Sequence, residues 1–206
     1  MAKLIQNKFE FEIYKEMLFE RISDDEFEKN PFKGHFKHFL GFEFEFNYHE
    51  LFFEGIKSFL QKIDNASVVF YTIDPSPEKY FYRHFGKYSV FEISSNASDE
   101  ELNEIMTQDP GNSPADSLDT NANEISWFSK SDDWSILGSR EWEIAVVGFT
   151  NKEIKKEFLN SFNEDAKTMF TTVQIQADIL HEMLYFSEDA IEAYKNLAEN
   201  YRDRAT

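Results

Sequence analysis

The chain of 206 residues has no cysteine and only seven glycines, and each scarcity excludes a class of chemistry. Without cysteine there is no disulfide, no thiolate nucleophile and no thiolate zinc site, which is typical of a protein from a reducing compartment. No pair of glycines has the spacing of a phosphate-binding loop or of a dinucleotide fingerprint. We therefore predict that the protein uses no cofactor.

Long apolar runs are also missing. No stretch of the sequence approaches the roughly 20 apolar residues that a membrane-spanning helix needs. The first residues lack the apolar core of a signal peptide. These absences predict a cytoplasmic protein that does not contact a membrane.

Basic residues are absent between Lys87 and Lys130, a stretch that carries nine acidic residues. The whole chain has 39 acidic and 21 basic residues, which gives a net charge of -18. Such a charge attracts cations and basic proteins and repels nucleic acid. The 23 phenylalanines supply enough apolar area for a folded core. We predict a folded acidic protein that binds a basic protein partner and no nucleic acid.

Hydrophobic periodicity predicts an α+β or α/β fold, in which helices cover a mixed β-sheet and the C-terminal third is helical. No shift in composition marks a border, so residues 1–206 are predicted to form a single domain. Residues 9–14 alternate like a strand that passes into a helix, and residues 131–139 are predicted to form a turn region. The other predicted elements are strands over 42–46, 67–73, 88–94, 124–129 and 141–149, and helices over 48–64, 77–85, 98–106, 151–162, 164–185 and 187–202.

Catalytic and metal-binding patterns are weak. Histidine and carboxylate are zinc ligands, but His35 and His38 lack metalloprotease spacing, and glycines interrupt any helix that would align them. We therefore predict no metal site. Paired carboxylates leave a hydrolase with a carboxylate or carboxylate/His site as the alternative function. The candidate pairs are Asp132 with Asp133 and Glu141 with Glu143.

The predicted partner-binding surface combines an irregular acidic loop with aromatic residues. Residues 108–123 are rich in Asp, Asn, Ser, Pro and Gly, and loops of this length are often functional. Tryptophan and arginine are enriched where interfaces bind most strongly. The favoured interpretation is that the tryptophans fill the core and that Arg140 pairs with a nearby acid. In the other interpretation, Trp134 or Trp127 lies beside the loop and acts as an anchor. The candidate partner-binding residues are Asp109, Asp116, Asp119, Trp127, Asp132, Asp133 and Trp134.

The most distinctive local sequence is the strand pair of residues 132–149, with the pattern Trp134-x-x-x-Gly138-x-Arg140-Glu141. This segment resembles segments of small acidic bacterial immunity proteins, which are encoded beside secreted toxins. The resemblance implies a non-enzymatic protein that neutralises a basic toxin by presenting an acidic surface to it. It agrees with the charge distribution and makes a toxin the expected partner.

Overall fold

An antiparallel β-sheet forms the centre of the structure, a computed structural model that describes residues 2–63, 65–184 and 186–204. Its strands are β1 (His38–Glu43), β2 (Ser67–Asp74), β3 (Val90–Ser94), β4 (Glu124–Phe128), β5 (Trp134–Ser139) and β6 (Ile144–Phe149). They lie in the order β1-β6-β5-β4-β2-β3, and every neighbouring pair is antiparallel.

Helices cover both faces of the sheet. The longer ones are α1 (Lys8–Arg21), α2 (Glu50–Lys62), α4 (Asp99–Thr107), α6 (Lys152–Leu159), α8 (Val173–Leu184) and α9 (Glu188–Asn200). The short ones are α3 (Arg83–Phe85), which continues a π-helical turn at Pro77–Tyr82, α5 (Leu118–Asn121) and α7 (Glu164–Lys167). Short 3-10 helices lie at Phe27–Lys29, Phe44–Tyr48 and Pro114–Asp116.

The two faces of the sheet support separate hydrophobic cores, because side chains alternate along each strand. On β4, Trp127 belongs to the core of the first face, which α2, α4 and α6 cover. Phe128 belongs to the core of the second face, which α1, α8 and α9 cover. Both faces of the central strands are therefore covered along most of their length.

The predicted α+β class is confirmed, although the sheet is antiparallel instead of mixed. Helices α6 to α9 make up the predicted helical C-terminal third. The single domain stays a prediction. Within the described ranges, no helix combines the length and the apolar character needed to cross a lipid bilayer.

The predicted strand at residues 9–14 is wrong, because this segment is the first part of α1. The side chain of Asn7 caps the helix by accepting hydrogen bonds from the backbone N–H groups of Phe9 and Glu10. The buried face of α1 includes Phe11, Tyr14 and Leu18, which have helical spacing. Phe9 therefore points into solvent, and its alternation with Phe11 does not indicate a strand.

The predicted turn region over residues 131–139 is correct only for residues 131–133, because residues 134–139 form the central strand β5. All six residues of this strand are buried, including Ser135 and Ser139. A strand covered on both faces shows no alternation of apolar and polar residues. Residues 108–123, predicted to be an irregular loop, contain the 3-10 segment at Pro114–Asp116 and helix α5.

Candidate binding cleft

A cleft of about 520 Å³ opens on the second face of the sheet, beside α1. Its floor includes Tyr71 and Ile73 of β2, Glu124 of β4 and Leu137 of β5. One wall is formed by α1 and the chain that follows it, and the other by residues 76–79 after β2. Three sheet strands and two connecting segments therefore meet at this cleft.

Carboxylates dominate the charge of the cleft. Five acidic residues and two lysines line it, namely Asp24, Asp25, Glu26, Glu78, Glu124, Lys15 and Lys79. Lys15 is already engaged, because its Nζ lies 2.6 Å from Oε2 of Glu78. This ion pair joins α1 to the opposite wall of the cleft. Four acidic residues and one lysine of the lining remain when this ion pair is left out, so the lining is acidic.

Glu124 is the acidic residue on the floor of the cleft, and it is only partly exposed. Burial, followed by the charges of Asp74 and Glu141, raises the pKa of its carboxyl group above the ordinary value. Glu124 also lines a neighbouring cavity of about 620 Å³, together with Asp74, Ser139, Arg140 and Glu141 among others. All of these causes raise the pKa and so disfavour the charged carboxylate. A positive group placed beside Glu124 would have the opposite effect and would stabilise the charged form.

The raised pKa of Glu124 makes a prediction about stability. A carboxyl group with a higher pKa in the folded state binds more protons there, so stability falls as pH rises from the unfolded pKa through the folded pKa. We expect Glu124→Gln to be more stable than the wild-type protein at pH 7 and equally stable below about pH 4. Urea unfolding across this pH range measures the difference. Glu54→Gln, at an exposed position, is the control; a Glu124→Gln variant less stable than wild type at pH 7 would contradict the prediction.

Apolar side chains beside the carboxylates complete the cleft. Leu18 and Ile22 of the α1 side are buried, and the ring of Phe19 is partly exposed at the wall. The ring of Tyr71 lies in the floor, and its burial raises the pKa of its hydroxyl, so the group is neutral. The cleft therefore combines a charged end with an apolar wall.

The predicted loop residues Asp109, Asp116 and Asp119 have structural partners. Oδ1 of Asp109 accepts hydrogen bonds from the backbone N–H groups of Gly111 and Ser113, both at 2.8 Å. The carboxylate of Asp116 accepts hydrogen bonds from Ser113 and from the hydroxyl of Tyr80, which lower its pKa. Asp119 accepts a hydrogen bond of 2.6 Å from the Ser117 hydroxyl. These carboxylates order their own loop.

Asp132 and Asp133 lie in the turn between β4 and β5, at the other end of β4 from the acidic loop. The five residues of β4 span about 17 Å at roughly 3.3 Å per residue. Asp133 accepts hydrogen bonds from the hydroxyls of Ser131 at 2.6 Å and Thr150 at 3.2 Å. Asp132 is exposed. The predicted acidic residues therefore do not form one continuous surface.

Trp127 and Trp134 are fully buried, so neither can serve as an exposed anchor on the folded protein. The ring of Trp127 packs edge-on against Phe70 with their centroids 4.9 Å apart. Nε1 of Trp134 donates a hydrogen bond of 3.0 Å to the Ser129 hydroxyl. The favoured interpretation, in which these tryptophans fill the core, is correct because both strands are covered on both faces.

Arg140 pairs with an acid, as that interpretation expects. Its Nε lies 3.2 Å from Oε1 of Glu45. The guanidinium also donates hydrogen bonds to the carbonyls of Asp119 and Thr120 and lies over the ring of Phe44. Arg140 therefore holds the acidic loop against the sheet.

The cleft residues Asp24, Asp25 and Glu124 were not predicted from the sequence. Glu124 opens a strand in which Ser126 and Phe128 share its face, and this pattern places its side chain on the second face of the sheet. That signal is present in the sequence. Asp24 and Asp25 offer no such signal, since they follow α1 in an irregular segment and reach the cleft through the tertiary fold.

The histidines have other roles. Nδ1 of buried His38 lies 2.9 Å from Oδ2 of Asp203, and Nδ1 of His49 accepts a hydrogen bond from Leu51 at the start of α2. The described residues contain no group of three or more His, Asp or Glu able to hold a metal ion. Comparison with protein-family models, with curated proteins and with solved structures finds no match.

Proposed function

We propose that this chain is a non-enzymatic binding protein whose acidic cleft receives a lysine or arginine side chain of a basic protein partner. The observation that carries the proposal is the position of Glu124. Its partly buried carboxylate lies on the floor of a cleft lined by four other acidic residues. An incoming cation would offset the electrostatic cost of burying that charge.

The shape and composition of the cleft suit a long basic side chain. Lysine and arginine have an apolar stem that packs against apolar surface while the charged end contacts polar groups. Leu18 and Phe19 offer an apolar wall, Ile73 adds an apolar part of the floor, and Glu124 offers the acceptor. An arginine would in addition bind a carboxylate through two parallel hydrogen bonds.

The net charge of -18 supports the same partner class at longer range. Complementary charge accelerates encounter between proteins and makes binding sensitive to salt. The resemblance of residues 132–149 to immunity proteins favours a basic toxin as the partner, which the chain would neutralise by occupying its basic surface. On this proposal the protein acts in the cytoplasm.

A hydrolase is the second candidate function, because a carboxyl group with a raised pKa in a cleft is also typical of a general acid. No histidine lines either cavity that contains Glu124. The buried Oγ of Ser139, beside Glu124 in the strand register, forms no hydrogen bond with a base among the described residues. A nucleophile joined to a base is the usual arrangement in hydrolases, so the binding function is favoured.

The cleft can be tested with fluorescein-labelled tetralysine as the probe. We expect wild-type protein to bind it at low salt and to lose affinity as salt rises past about 0.15 M. Replacing Asp24 and Asp25 by Asn and Glu124 by Gln should weaken binding about tenfold at low salt, because the acceptors of the cation are removed. Fluorescence anisotropy measures the affinity.

The matched control removes three exposed carboxylates outside the cleft, by Glu54→Gln, Glu104→Gln and Glu157→Gln. Both triple variants change the net charge by the same amount. The control should bind tetralysine nearly as well as wild type, since long-range attraction alone is weak in salt. Equal loss in both variants would show that only the total charge matters, and the proposed role of the cleft would be rejected.

A further inference from the structure

Helix α8 exposes an apolar stripe to solvent. Ile175, Ile179 and Met183 are 46%, 43% and 65% exposed and follow one another at intervals of four residues. Residues at this spacing lie on one side of a helix. The opposite side of α8 packs into the second face of the sheet through Val173 and Leu180. The helix is therefore apolar on two sides, and only one of them is covered.

Carboxylates surround this stripe. Residues 173–200 contain six acidic residues and one lysine, Lys195. Asp178 and Glu182 lie on the exposed side of α8, and Glu188 and Asp189 begin α9 immediately after it. None of these four joins a Lys or Arg in the ion pairs of the described structure. The stripe is thus apolar along its centre and negative at its border.

That combination selects among the molecules able to cover an apolar helix face. A second copy of the chain would bring another charge of -18 against the same acidic border. An anionic membrane surface would be repelled in the same way. The charge pattern complements a basic molecule with an apolar side.

We propose that α8 is a docking surface for an amphipathic helix of a partner protein, with an apolar face bordered by lysine or arginine. The 12 residues of α8 extend about 18 Å, which matches about three turns of such a helix. Apolar anchors at positions i, i+4 and i+7 would lie along the stripe, and basic flanks would face Asp178 and Glu182. No residue beyond Gly138 lines the acidic cleft, so this surface is separate from it.

The test uses a labelled 14-residue peptide with leucines on one helical face and lysines on the other, beside a scrambled peptide of the same composition. We expect wild-type protein to bind the patterned peptide at least about tenfold more tightly than the scrambled one. Replacing Ile175, Ile179 and Met183 by Ser should remove this preference. The control is Phe9→Ser with Ile13→Ser on α1, which removes two other exposed apolar side chains and should keep it.

A second variant tests the charged border. Asp178→Asn with Glu182→Gln leaves the stripe intact and should lower affinity for the patterned peptide about threefold, with a weaker dependence on salt. Neutralising Asp24, Asp25 and Glu124 in the cleft should leave the preference for the patterned peptide unchanged, so the two proposals fail independently. Equal binding of both peptides by wild type, or a dimer in sedimentation that the α8 variant abolishes, would overturn the inference.

Discussion

Trp134→Ala is expected to lower the free energy of unfolding by about 3–5 kcal/mol, as is typical when a buried tryptophan is truncated to alanine. The indole of Trp134 is fully buried on the first face of the sheet and packs edge-on against Phe59 with their centroids 5.3 Å apart. The substitution would leave a cavity between β5 and α2. It would also leave the Ser129 hydroxyl without its indole donor.

Urea unfolding followed by circular dichroism and by fluorescence measures this loss. Both signals should report one coincident transition, because both cores rest on the same sheet. Trp142→Ala is the matched control: its ring is partly exposed and contacts Tyr194, so we expect a loss of only about 1 kcal/mol. A Trp134→Ala protein with wild-type stability would contradict the buried position and revive its role as a surface anchor.

Local signals placed the elements whose ends carry caps. Ser98 and Glu101 form a capping box at the start of α4, because each side chain accepts a hydrogen bond of 3.2 Å from the backbone N–H of the other residue. Ser187 likewise caps α9, where its side chain accepts a hydrogen bond from the backbone N–H of Ala190. These interactions span only a few residues, so the sequence contains everything that determines them.

Elements whose character depends on distant contacts were not predictable in the same way. Strand β5 looks polar in sequence because of Ser135, Gly138 and Ser139, yet it lies between β4 and β6 with both faces covered. Its assignment depends on which strands flank it. The same limit applies to the direction of the strands, because the order β1-β6-β5-β4-β2-β3 joins elements that are far apart in the chain.

The cleft shows the same division between local and distant information. The acidic stretch between Lys87 and Lys130 is obvious in the sequence, but most of its predicted site residues hold their own loop or turn. Acidic charge from Asp24 and Asp25, after α1, meets Glu124 only because α1 packs across β2 and β4. The positions of charged residues along the chain do not show that these three residues line the same cleft.

The charge of Glu124 has a cost for the stability of the folded protein. A carboxylate whose pKa is raised by burial and by like charges destabilises the folded state at neutral pH. Positions that reduce stability are common where a protein binds its ligand. Under the proposed function, a cation from the partner would reduce this loss of stability when it binds.

The position of α1, and with it one wall of the cleft, depends on Arg21. This residue ends α1 and is almost fully buried, with its guanidinium 5.2 Å from the ring centroid of Phe128. Its Nη2 donates hydrogen bonds of 2.9 Å to the carbonyls of Ser129 and Ser131, in the turn between β4 and β5. Arg21 thus ties the end of α1 to the sheet.

We expect Arg21→Met to lower the free energy of unfolding by about 2–4 kcal/mol, because methionine keeps most of the buried volume but leaves the carbonyls of Ser129 and Ser131 without their donor. Arg21→Lys keeps a positive charge and should lose less. Urea unfolding measures both variants, and tetralysine binding should weaken in Arg21→Met under conditions where it remains folded, since the wall of the cleft loses its anchor. If Arg21→Met matched the wild-type protein in stability and in binding, the prediction would be wrong. The hydrogen bonds from Arg21 to Ser129 and Ser131 would then be dispensable, and apolar packing alone would hold the wall of the cleft.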